Sequence, residues 1–383
     1  MLANSRQQPG AVLEALEQRN MSGASSDSAD EPNDQIEPVD PDDGSAAASP
    51  LDFSGSLLGV PESCAQSSPP MQSDAAREST DLAEALCARI APVSFGDRVF
   101  LFHSEAEAWR HAVETMRRHH RIVGRPKRRR LILCAGASDG ARGSPPGLED
   151  DGEVILLRSD DPGALAAEVD NRTAGILIAP VRTKAGFEIV PREMLVRLRE
   201  TADEYGLVLA FDESVCGFGR TGMLWAHEWA GAPPDMMVAL HRQEGAPSLA
   251  ALVVTPRLAR ASPERPLLVD REALLAGHAL MDALTAPGFL ERVQNRSWRL
   301  EDRLAELFYA RRGAFTALDG AGLMQGLTCP GEAEPMRAML AERGLLTRAM
   351  GSVLGLFAPL TVEESDIDAA AAIIDALCAR DTR

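Results

Sequence analysis

The sequence predicts an α/β protein, with a large domain around a mostly parallel sheet and a smaller C-terminal α+β domain. Three observations carry that prediction. Between residues 97 and 255, short apolar runs alternate with amphipathic helical segments. From Arg271 the pattern changes to two long helical segments followed by short strands and helices. A chain of 383 residues at 45% hydrophobic content is also long enough to bury a substantial core. The predicted division is a tail at 1–50, a large domain at 51–270 and a small domain at 271–383.

Residues 1–50 carry ten acids against two arginines and so supply −8 of the −18 net charge. The stretch 25–44 has almost no large apolar residues to offset its ordering entropy, and it reads as disordered. Residues 9–21 have the pattern of a short, transient amphipathic helix. Residues 51–55 are a short fragment, Leu51-Asp52-Phe53-Ser54-Gly55, followed by a Ser/Pro-rich stretch that reads as loop.

In the large domain, 80–90 reads as a capped helix with Leu82, Leu86 and Ile90 on one face. A strand follows at 97–103, then a helix at 105–119 with Ala108, Ala112 and Met116 along one side. The basic run 116–130 reads as a helix C-terminus, which favours cations, and a loop. Strands are predicted at 128–134, 154–157, 174–179, 207–211, 236–240 and 250–255. Helices are predicted at 162–169 and 191–205, the latter apolar at Met194, Leu195, Leu198 and Ala202. In the small domain, helices are predicted at 271–284, 288–310, 333–343 and 363–380, and strands at 322–328 and 353–357.

An acidic chain without aromatics interleaved in its basic run argues against nucleic acid and anionic membranes as partners. Six scattered cysteines with no C-x-x-C pair predict reduced thiols, no disulfide framework and no metal site. No apolar run approaches the ~20 residues of a membrane span, and the N-terminus lacks the order of a signal peptide. A cytoplasmic setting is the resulting expectation. Only two lysines occur, Lys127 and Lys184, so chemistry that needs a lysine amine must use one of them.

The candidate site is the stretch 207–241. An apolar run leads to Asp212 and Glu213, then to the turn Gly217-Phe218-Gly219-Arg220-Thr221-Gly222. The glycines match a dinucleotide fingerprint by spacing, but Pro233-Pro234 would cut the helix that such a site needs. They read instead as a turn needing glycine backbone freedom. Asp212 at a strand's carboxyl end suits either a cationic partner, such as a protonated ring nitrogen, or a structural salt bridge.

The segment FDESVCGFGRTGMLWAHEWAGAPPD resembles the signature of class III aminotransferases, pyridoxal-phosphate enzymes of fold type I. DLAEALCARIAPVSFGDRVFLFHSEAEAWRHAV, AGILIAPVRTKAG and GSVLGLFAPLTVEESDIDAA resemble further family segments in the same order. The likeness covers about residues 51–381. It implies a large domain with a sheet of the seven-stranded type, a pyridoxal-phosphate cofactor and a homodimer.

The same resemblance implies that the reactive positions are altered. The family's Schiff-base lysine lies six residues after the aspartate of P-D, which here is His241, followed by Arg242. Imidazole forms no stable imine, because that needs a primary amine. The phosphate-binding S-G-T is Ser104-Glu105-Ala106, where a glutamate would repel the dianion at a helix N-terminus. The ring-stacking aromatic corresponds to Ser138, in Ser138-Asp139-Gly140, the valine under the ring to Ser214, and the glutamine at the ring hydroxyl to Val215. The substrate-gating glutamate corresponds to Lys184 and the carboxylate-binding arginine to Gly355. Only Asp212 keeps its place in the cofactor shell.

Three expectations follow. The first is a family member that has lost transamination and with it most of its pyridoxal-phosphate contacts. It would act as a partner or regulatory subunit, as a homodimer or as a heterodimer with an active paralogue. The second is a working enzyme, with Lys184 as the displaced amine or with His241, Asp212 and Asp139 as acid–base groups. The third is a cleft that binds a small molecule without turnover.

Overall fold

A computed structural model describes residues 51–55, 72–135, 147–148, 152–157, 162–183, 186–241, 248–263 and 269–379. The acidic tail, its short helix and the Ser/Pro-rich loop lie outside them, as do Ser138, Asp139, Lys184 and Arg242.

Seven strands form the central sheet: β1 (Arg98–Phe102), β2 (Arg130–Cys134), β3 (Val154–Leu157), β4 (Thr173–Ile178), β5 (Val208–Glu213), β6 (Met236–His241) and β7 (Leu249–Val254). Their spatial order is β1-β7-β6-β5-β4-β2-β3. All neighbours are parallel except at β7, which runs antiparallel to both β6 and β1. Strands β4, β6 and β7 are buried along their whole length, which is why they read as continuous apolar runs rather than alternating ones.

Helices cover both faces. One face of the sheet meets α1 (Gln72–Ile90) and α4 (Arg192–Tyr205); the other meets α2 (Glu105–Ile122). The helix α3 (Pro162–Glu168) lies beside α4. Ala108, Ala112 and Met116 of α2 are buried, as its period required. α4 stops at Gly206, which adopts the left-handed conformation that lets its N–H reach the last helical carbonyls.

The smaller layer is a four-stranded antiparallel sheet of β8 (Ala317–Ala321), β9 (Met324–Thr328), β10 (Arg348–Met350) and β11 (Val353–Phe357), in the order β8-β9-β11-β10. The helices α5 (Arg271–Thr285), α6 (Phe289–Ala310), α7 (Glu334–Ala341) and α8 (Glu364–Cys378) complete it. α5 packs on α1, and Arg89 bridges to Asp282 at 2.7 Å. α8 opens with a capping box, Glu363 and Asp366 each satisfying the other's backbone N–H.

The predicted elements are nearly all present, with some corrections. The helix at 80–90 begins earlier, at Gln72. The strand expected at 207–211 runs on through Asp212 and Glu213, because both pair in register with β6. The strand expected at 322–328 is β9, Met324–Thr328, and it is the second arm of a hairpin whose first arm, β8, was not expected; the two turn at Gly322, whose φ of 62° places it in the left-handed region. Strand β10 and the four two-residue pieces among the described residues had too little length to show a period; the piece Leu51–Asp52 pairs with Leu345–Leu346.

Candidate active site

In the sheet, the carboxyl ends of β1, β5 and β6 and the N-terminus of α2 lie at one edge. Ligands bind at this edge in open α/β sheets. The stretch 207–241 crosses it, as β5, the glycine turn, the short helix His227–Ala230 and β6.

The turn is structural. Gly219 and Gly222 have φ of 90° and 83°, so both need glycine. A Cβ on Gly219 would stand 3.1 Å from Leu284 and 3.2 Å from Leu290. Phe218 packs on Trp225 with ring centroids 5.0 Å apart.

Glu213 is fully buried and belongs to this scaffold. Its carboxyl accepts the backbone N–H of Ala226 at 2.8 Å and that of His227 at 3.3 Å. It thereby fixes the start of the short aromatic helix. Burial outweighs those two donors and pushes its pKa up to about 8. Asp235, from P-P-D, is likewise a pin. Its carboxylate accepts the N–H of Leu209 at 2.9 Å and a guanidinium of Arg199 at 3.1 Å, and it pairs with Arg257. Its backbone N–H donates to the Leu209 carbonyl at 2.8 Å. The register of β6 against β5, and hence the place of residue 241, rests on it.

His241 ends β6, opposite Leu249 of β7, and is 1% exposed. Neither ring nitrogen has a hydrogen-bond partner among the described residues. Burial, with the Arg220 charge nearby, lowers its pKa to about 4, so the ring is neutral at pH 7. Arg220 is itself buried, donates to the Gly55 carbonyl at 2.8 Å and has its pKa lowered to about 10 by desolvation. The sequence offered no sign that the arginine of the turn would approach residue 241.

Asp212 accepts the N–H of Ser214 at 3.1 Å. Asp212 pairs with Val238 in the β5–β6 register. Alternation along the strands therefore puts Asp212, Val238 and Leu240 on one face, and Glu213, Ala239 and His241 on the other. The core follows the same division: Val238 and Leu240 pack in one cluster, Met237 and Ala239 in another. The third acid–base candidate, Asp139, lies outside the described residues, as do the positions of Ser138 and Lys184.

At the mouth of α2, the Ser104 hydroxyl accepts the N–H of Glu107 at 3.3 Å as an N-cap. Glu105 and Glu107 occupy the first turn. The backbone of Gly147 lies against Ala106; a Cβ on Gly147 would fall 2.3 Å from the Ala106 carbonyl oxygen. One N–H of the turn is thus used internally, Gly147 lies against the turn, and two glutamates stand in it.

Around Gly355, the position expected for a carboxylate-binding arginine, the side chains are apolar. Val181, Phe187, Cys216, Met324, Met350 and Phe357 form one buried cluster, with Val215 packed against it. Phe187 and Phe357 meet at 5.7 Å between ring centroids. A Cβ on Gly355 would stand 2.7 Å from the Met350 methyl and 3.4 Å from the Phe357 ring. Met350 occupies the space a side chain at 355 would need, which no sequence pattern revealed. Ser214 has a buried hydroxyl without a partner among the described residues. No group of three or more His, Cys, Asp or Glu side chains among the described residues is arranged to hold a metal.

The family model for class III aminotransferases matches residues 153–377. An acetylornithine aminotransferase of Mesorhizobium japonicum is 34% identical over 300 residues, 73% of this chain and 74% of that protein. One from Rhodobacter capsulatus is 33% identical over 318 residues, covering 77% of this chain and 79% of its own. The crystal structure of N-acetylornithine aminotransferase from Stenotrophomonas maltophilia superposes with a TM-score of 0.67 at 25% identity, covering 79% of this chain and 80% of that one. A transaminase from the marine bacterium Virgibacillus shares the fold, with a TM-score of 0.68 at 17% identity.

Proposed function

This chain belongs to the class III aminotransferase family, and we propose that it is a member without transaminase activity that serves as a partner or regulatory subunit. The family implies pyridoxal phosphate, whose bound form supplies an electron sink at the substrate's α-carbon. The residues present do not fit that group. The observation that carries this reading is His241: a neutral, buried imidazole stands at the family's lysine position. A secondary ring nitrogen cannot replace a primary amine in an imine.

Two separate features support the same reading. At the phosphate position, Glu105 and Glu107 stand in the first turn of α2 and Gly147 lies against it. At the substrate-carboxylate position, Met350 fills the space over Gly355. Loss of electrostatic complementarity at several independent points removes far more than one substitution would. The scaffold elements, by contrast, are kept: Glu213, the glycine turn and Asp235 hold the edge of the sheet in place. A retained fold with altered chemistry fits a chain selected for what its surface does, as a homodimer or beside an active paralogue.

The test is a turnover assay on the purified chain at saturating pyridoxal phosphate. N-acetylornithine, the compound the relatives are named for, and other amino donors serve as substrates. Light scattering run alongside reads the oligomeric state. The expected result is a dimer with no turnover above the cofactor alone. Turnover that needs the folded protein and vanishes in Lys184→Ala would establish the alternative, an active enzyme with a displaced lysine.

A further inference from the structure

The end of α2 and the loop after it form a surface that the cleft does not explain. Between Arg117 and Arg130 the chain has seven arginines, one lysine and no acid. Among the described residues, Arg118, Arg121, Arg125, Lys127, Arg128 and Arg129 pair with no carboxylate, whereas Arg130 pairs with Asp170 at 2.7 Å. Arg128 is held instead by the carbonyls of Tyr205 and Gly206, at 2.9 and 2.8 Å. In the middle of these cations stand Ile122 and Val123, 60% and 50% exposed, the most exposed large apolar side chains described. Two exposed apolar residues flanked along the chain by cations without a carboxylate partner among the described residues, on a chain of net charge −18, suit an acidic segment with apolar residues inside it.

The chain supplies such a segment. Residues 27–43 hold eight acids and no base, with Ile36 and Val39 among them. The reach is sufficient. Gly55 touches Arg220 at the ligand edge of the sheet, where α2 also begins. The eighteen residues of α2 put the basic surface about 27 Å below that edge. Ile36 and Val39 lie 15 and 12 residues before Leu51; a flexible chain of that length has a root-mean-square span of about 20 Å and a limit of about 40–50 Å, so partial extension covers the distance.

We infer that residues 27–43 dock on the surface around Ile122 and Val123 of the same chain, carboxylates against the arginines and Ile36 and Val39 against the two exposed apolar side chains. This does not depend on the reading of the catalytic positions. The docked segment covers this basic surface of an acidic protein and withholds it from other polyanions.

Lys127 gives a direct test, since it is one of only two lysines. A carbodiimide activates a carboxylate, and the Lys127 amine then displaces the urea to leave an amide. The full chain is cross-linked, digested and mapped by mass spectrometry. The expected products join Lys127 to residues 27–43 at low salt. They are lost at 1 M salt, where the screening length falls to about 3 Å, and in the folded variant R118E/R121E/R125E. A mixture of isotope-labelled and unlabelled protein should give links within single copies. Coupling of Lys127 only to other carboxylates, links indifferent to salt and charge reversal, or links joining labelled to unlabelled chains would each overturn the inference.

Discussion

Replacing Glu213 with glutamine tests how the retained scaffold is held. Glu213 is fully buried, and its pKa is raised from 4.5 to about 8. The folded state therefore keeps a proton that the unfolded state releases between those values. Stability from this group is complete below pH 4.5 and is lost as pH rises toward 8. The gap corresponds to on the order of 5 kcal/mol, or about 1.4 kcal/mol per pH unit inside the window. Glu213→Gln keeps an acceptor for the Ala226 N–H at 2.8 Å and gives up the longer contact to His227 at 3.3 Å. It should cost about 1 kcal/mol at pH 5.5. Between pH 5.5 and 8 the wild type should lose roughly 3 kcal/mol relative to the variant. Urea denaturation of both proteins at pH 5.5, 7 and 8 gives the difference, in which the other titrating groups cancel. A difference that stays constant across the range would refute the reasoning.

His241→Met removes two buried nitrogens without partners and should raise stability by about 1–3 kcal/mol at pH 7. Because the His241 pKa is lowered from 6.5 to about 4, its neutral form stabilises the fold above pH 6.5 and that contribution is lost on acidification toward 4. The variant should therefore unfold at lower pH in a circular-dichroism titration, and unchanged acid sensitivity would count against a buried neutral ring. Asp235→Ala leaves Arg199 and the Leu209 N–H without their carboxylate and should cost about 3 kcal/mol in chemical denaturation; a loss below about 1 kcal/mol would show that β6 is held by other contacts. Gly355→Arg drives a Cβ to 2.7 Å from Met350 and should cost about 1–3 kcal/mol by overpacking, much of it regained in Gly355→Arg with Met350→Ala. Equal stability of the single and double variants would remove Met350 from the account.

The fold was legible because its signals are local and repeated. Apolar runs such as 236–240, an amphipathic helix such as 191–205 and the glycine turn each carry their own pattern. The strand pieces that pair only through distant partners, such as Leu51–Asp52 with Leu345–Leu346, leave no period to read. That residue 241 offers no primary amine follows from the residue type alone. The geometry of the site was not legible. That Met350 fills the space over Gly355 depends on a hairpin register, and that Arg220 lies near His241 depends on how the turn folds back. The faces of Asp212 and His241 follow from the β5–β6 pairing, which only the three-dimensional structure fixes.

The most direct test of lost transaminase chemistry is to trap an imine. The purified chain is saturated with pyridoxal phosphate, reduced with borohydride, digested and mapped by mass spectrometry. The account predicts no site-specific pyridoxyl-lysine beyond what the unfolded chain acquires, and none in His241→Lys beyond a slow, unselective level. Stoichiometric labelling of Lys184 in the folded wild type, with an aldimine band that the reduction abolishes, would contradict it.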